Sequence, residues 1–148
     1  MFNSPRSSRS DGKIIADRLI PDWILGAVMR AALVPGLWGW GRANAEAWPG
    51  VVPELVIAAD YWDVPLLPAP FLAQLAVWGA HFTAALLVAG FMTRIVGLTL
   101  FAASLAYMSW IGPENWTSAL VFSAVAFYLF VRGGGALSLD GSIAATTR

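Results

Sequence analysis

Arg30, His81, Ser104 and Ser123 each fall near the middle of a long apolar stretch, and they are the residues whose types could do chemistry there. An ionisable group inside hydrocarbon is destabilised by a few kcal/mol or more, and it usually lines a bundle interior or a water-filled cavity. A guanidinium offers five donors in a rigid fork and no acceptor. No Asp or Glu lies in any span core, so Arg30 must bond neutral acceptors. The His81 ring, nearby hydroxyls, carbonyls freed by Pro35 and a bound ligand are the candidates. Two readings follow. In one, Arg30, His81, Ser104 and Ser123 line a polar midplane cavity for an oxygen-rich headgroup, such as the carbonyl pair of a quinone or a small anion. In the other, Arg30 snorkels toward the inner surface and His81 bonds across helices as glue. Tyr107 and Tyr128 lie near the same layer but suit packing or the interface. Gln74 falls near the outer end of its span.

Other chemistry has no residues to carry it. The chain has no cysteine and one histidine. Fe–S clusters, thiol redox chemistry and disulfides are excluded, as is a haem held by two histidines of one chain. No carboxylate cluster has metal-ligand spacing. No cofactor is intrinsic, and electrons would travel on a diffusible carrier such as a quinone or through a partner subunit. Formal net charge is zero, which leaves no electrostatic footprint for nucleic acid.

These residues sit in a chain that is 58 % hydrophobic and only 12 % charged, against about 25 % charged in soluble domains. The pattern predicts an all-α, integral membrane, antiparallel four-helix bundle. Residues 1–21 form a polar tail in which 13–20 has the pattern of an interfacial helix. The membrane domain covers 22–131, with spans at 22–40, 71–91, 95–111 and 116–131, close to the length a roughly 30 Å hydrocarbon core requires. Residues 132–148 form a second tail. Pro35 predicts a kink just beyond Arg30. The connection at 41–70 is too apolar to float free. Pro53 and Glu54 mark a helix start within it, with Leu55, Val56, Ile57, Tyr61 and Trp62 as its apolar side, lying on the outer surface as a lid. Met92, Thr93 and Arg94 make a tight turn that pairs spans two and three as a hairpin, and Gly112 to Asn115 does the same for spans three and four. Pairs such as Ala80/Ala84 and Ala119/Ser123 permit close helix approach.

Seven of the nine basic residues fall on the side of the two termini, and Arg42 alone falls on the other. Both termini are thus expected in the cytoplasm. Glu46, Glu54, Asp60, Asp63 and Glu114 collect on the outer side. Trp38, Trp40, Trp110 and Trp116 fall at outer span ends, as interfacial indoles do. Ala43-Asn44-Ala45 resembles a signal-peptidase site, but Arg30 in the centre and the Trp-rich end favour a retained span.

The stretch VRGGGALSLD at 131–140, with Arg132, Gly133, Gly135, Ser138, Leu139 and Asp140, resembles the ending of DoxX family proteins, small four-span bacterial membrane proteins. Gly90, Thr93 and Arg94 resemble that family's turn between spans two and three. Arg30 and Gly36 match its first-helix Arg and Gly, and YWDVPLLP at 61–68 is similar to the segment ahead of span two in one branch. His81 departs from the pattern, since it stands where the family commonly has a glutamate. Arg42 stands at the family's lysine. The resemblance implies a four-span inner-membrane protein. It also implies association with respiratory or thiosulfate–quinone oxidoreductase assemblies, redox-stress complexes, or clusters for metal-binding peptide products. Three functions are therefore carried forward: an accessory subunit of a redox-linked or metal-handling complex, a quinone-reactive subunit, and a small-solute transporter. The transporter ranks last, because only Pro35 hints at a broken helix.

Overall fold

The computed structural model describes residues 21–62 and 64–134. The expected interfacial helix at 13–20 lies outside these residues, as does the C-terminal part of the motif (Gly135, Ser138, Leu139 and Asp140). Among the described residues every named element is helical.

Helix α1 runs Asp22–Asn44, longer than the apolar run alone predicts. Gly36, Gly39 and Gly41 all lie within the helix, as glycines commonly do in membrane-spanning helices. Pro35 is likewise accommodated inside the helix. The chain then turns through an isolated antiparallel bridge, Ala45 to Val51. The Trp78 indole N–H pins this turn by donating to the Pro49 carbonyl at 3.1 Å. Helix α2, Pro53–Asp60, starts on its proline as the sequence predicts. Its buried side is Leu55 and Ala59, while Ile57 and Tyr61 point outward at 61 % and 82 % exposure. The apolar side expected from Leu55, Val56, Ile57, Tyr61 and Trp62 is therefore split between two faces.

Helix α3 runs Ala69–Ala89 and ends at Gly90. Gly90 adopts φ 66°, and the Phe91 N–H donates to the Leu86 carbonyl at 3.1 Å, a Schellman-type stop that glycine accommodates without strain. Helix α4, Thr93–Ala106, continues without a break into a π-helical turn at Tyr107–Ile111. Gly112 closes that turn. A Cβ there would lie 2.6 Å from the Tyr107 hydroxyl. A single 3₁₀ turn, Pro113–Asn115, leads into α5, Trp116–Arg132.

Four of these helices are long and apolar enough to cross a membrane. They pack as two antiparallel pairs, α1 with α3 and α4 with α5, with lighter contact between the pairs. The tight turn at 90–92 makes α3 and α4 neighbours, but it does not make them the intimate hairpin expected from the sequence. Glycine contacts explain the preference. A Cβ on Gly97 would lie 2.6 Å from the Phe130 backbone nitrogen, so α4 and α5 meet backbone to backbone. Leu33, Leu87, Val96, Leu100, Ala126 and Leu129 form one core between the four spans. A second core joins α2 to α3 through Leu55, Ala59, Ala73 and Val77. Bulky residues such as Phe82, Val88 and Val121 stay on the outside. In lipid, apolar bulk has no drive to hide, and small residues set the packing.

Candidate functional site

Arg30 projects from α1 against the last turn of α3. It is only 8 % exposed, and its Nη1 donates to the Leu87 carbonyl at 3.4 Å. That carbonyl also receives the Gly90 N–H at 3.3 Å. The last carbonyls of a helix carry its negative dipole end, and a cation there is stabilising. Helix α3 has no basic residue in its own last turn. Arg30 supplies that charge from the neighbouring helix.

Arg30 also forms part of the wall of a groove of about 540 Å³ between α1 and α3, which Ala27, Ala31, Val34, Pro35, Leu87 and Val88 complete. Its lining is aliphatic apart from the one cation. Pro35 has no N–H to offer the Ala31 carbonyl, which lies one turn earlier in the same wall.

His81 occupies a different level. Its Nδ1 lies 2.8 Å from the Val77 carbonyl in its own helix. A carbonyl only accepts, so Nδ1 carries the proton in this bond. On the neutral ring Nε2 then remains an acceptor. The Trp38 ring stands at 72° to the imidazole with centroids 5.1 Å apart, and the Trp78 centroid lies 5.3 Å away with its plane tilted by 30°. Trp48 continues the aromatic cluster, 4.5 Å from Trp78. Gly41 of α1 closes on the ring: a Cβ there would lie 2.8 Å from Nδ1 and Cε1. Six residues separate His81 from Leu87 along α3, about 9 Å of helix rise. The structure therefore parts the Arg30–His81 pair that matching midpoints suggested. Helices α1 and α3 are staggered, so the middle of one faces the end of the other.

Ser104 and Ser123 are buried elsewhere, on the stripes of α4 and α5 that carry those helices' core residues. The Ser104 hydroxyl donates to the Phe101 carbonyl of its own helix at 2.7 Å. Of the four midplane candidates, only Arg30 lines the groove. Tyr107 packs against Gly112 at the far end of the bundle, and Arg42 lies exposed in the last turn of α1.

The motif residues converge at the α3–α4 turn. Gly90 ends α3, Thr93 opens α4 fully buried, and the Arg94 side chain lies along Gly133, where a Cβ would stand 3.3 Å from its Nε. Gly133 has φ 75°. The Thr93–Arg94 and Arg132–Gly133 segments thus form a single joint between the ends of α3, α4 and α5. What the sequence did not reveal is Leu87 as the acceptor for Arg30, since a backbone carbonyl leaves no mark in residue type. The Trp78–His81 spacing, one helical turn, was the available sign of the aromatic cluster.

A family model described as TQO small subunit DoxD matches residues 67–147, more than half of the 148-residue chain. The match spans α3, α4 and α5, with His81 and the whole motif joint, and it stops short of α1 and Arg30. No curated protein and no solved structure matches the chain.

Proposed function

This chain belongs to the DoxD family of small membrane proteins, and from that premise we propose that it is a membrane-embedded accessory subunit of a redox-linked or metal-handling complex, not catalytic alone. The observation that carries this reading is the family description, a small subunit. The residue chemistry supports it. With no cysteine and a single histidine in the chain, and no metal-holding group of three or more His, Asp or Glu among the described residues, this chain has few side chains with which to hold an electron-carrying centre. Partner groups or a diffusible carrier supply that role. Purification from native membranes in mild detergent tests the proposal. A partner subunit in fixed ratio is the expected result, and a stable, active, partner-free protein would reject it.

A second reading, favoured by the Arg30 groove, is that the subunit presents a quinone to the complex. The groove suits one end of such a molecule, with aliphatic walls for the tail and Arg30 as a donor to a ring carbonyl. It does not fit a two-point clamp, since His81 lies at another level. A quinone, when bound, supplies the capacity to accept electrons and protons; the chain holds and orients it. The extracted complex should contain quinone, and Arg30→Gln should lose most of it. Ala31→Leu, which fills the groove and leaves Arg30 in place, should lose it as well. Quinone content unchanged in both variants would end this reading without touching the first.

A further inference from the structure

We infer that the outward face of α2, with the pocket between α2 and the start of α3, docks an extramembrane domain of a partner subunit that presents an apolar side chain ringed by lysine or arginine. The inference rests on the reading of this chain as a subunit, and it assigns the surface used.

Helix α2 turns most of its apolar residues to the bundle and leaves Ile57 outside, with Tyr61 just past its end. Leu55 and Ala59 are buried against Ala73 and Val77, while Ile57 and Tyr61 remain exposed beside a pocket of about 310 Å³ lined with Asp60, Ala69 and Pro70. Leu66, in the loop leading from α2 to α3, is fully exposed and holds φ 74°. A left-handed backbone is disfavoured at a residue with a Cβ, and among the described residues nothing covers this side chain in return.

Charge decides among the occupants. Glu54 and Asp60 sit exposed near the two ends of α2, and the helix has no basic residue. Glu46 and Glu114 are exposed at the same end of the bundle, where Arg42 is the one base among the described residues. Helices that lie on a bilayer carry Lys and Arg on the polar face, and α2 has neither. The bilayer is thus a poor cover. A second copy of this chain, applied through a two-fold axis, would set carboxylates against carboxylates. A protein surface with a basic rim satisfies both the apolar pocket and the acidic border.

The absence of cysteine makes a clean test possible. Ile57→Cys and Leu66→Cys are introduced singly, with lipid-facing Val88→Cys as a control. Their reaction with a membrane-impermeant maleimide is measured in native membrane sheets open on both faces, and in nanodiscs holding the purified chain alone. The expected result is labelling about tenfold slower in the sheets than in the nanodiscs, as occupancy near nine-tenths would give. In sheets carrying Glu54→Lys with Asp60→Lys, labelling should return to the nanodisc rate. Equal, fast labelling in both settings shows an uncovered surface and overturns the inference. Slow labelling in both, matching the Val88→Cys control, shows lipid cover and overturns it too. Slow labelling in sheets that survives the charge reversal overturns the basic-rim partner. If a partner co-purifies while Ile57→Cys labels fast in that complex, this surface falls and the accessory-subunit reading stands.

Discussion

Arg30 acts on α3 from outside that helix. It brings a guanidinium to the Leu87 carbonyl at the negative end of α3, where hydrogen bonds to a charged group are worth about 1.5–3 kcal/mol. Arg30→Met should therefore lower the unfolding midpoint in detergent by an amount matching about 1–3 kcal/mol, and Arg30→Lys should keep part of it. Gly41 makes a sharper case. An alanine there places its Cβ 2.8 Å from the His81 ring, whereas Gly36 faces open space. Gly41→Ala is expected to destabilise by about 1–3 kcal/mol through overpacking, and Gly36→Ala to be neutral or slightly stabilising. The contact itself is tested by adding His81→Ala to Gly41→Ala: the double variant should recover stability relative to Gly41→Ala alone. Recovery would not occur if Gly41 matters only for helix flexibility.

At the scale of elements, α4 and α5 depend on Gly97 and α4's end on Gly112. Gly97→Leu would drive a side chain into the α5 backbone at Phe130 and Ala126. We expect this pair of helices to separate, read as loss of a disulfide engineered between the two spans away from the site. Gly112→Ala meets only the far end of the Tyr107 ring, so Tyr107→Leu should rescue it, and thermal melts would show the rescue. The four spans were legible in the sequence because unbroken apolar runs of that length have few other uses. The helix boundaries were less so. The first helix runs on to Asn44, past the expected end at residue 40. The candidate site was legible only in part. Arg30 stood out as a charge in an apolar run, but its partner is a carbonyl. The stagger that separates it from His81 brings Gly41 against the imidazole, a contact that no count of residues from a span's end can supply.

At the scale of the whole molecule, the two ends of the bundle differ in charge and in aromatic dress. Arg94 and Arg132 are exposed at the end where α3 gives way to α4. Trp38, Trp40, Trp110 and Trp116 are exposed toward the other end, with Glu46, Glu54, Asp60 and Glu114. Basic residues close to span ends resist translocation, and acidic residues contribute little to orientation. The α3–α4 turn should then face the cytoplasm, together with both chain termini, since an even number of spans returns the chain to its starting side. Two reporters examine this independently. A fluorescent protein fused after Arg148 should fluoresce in cells, because it folds in the cytoplasm. Thr117→Cys, in the exposed first turn of α5, should react with an impermeant maleimide added outside, while a cysteine at Met92 should not. The opposite pattern at both positions would place α2 and its acidic border on the cytoplasmic side. The partner's docking domain would then have to be cytoplasmic, although the surface that receives it would be the same.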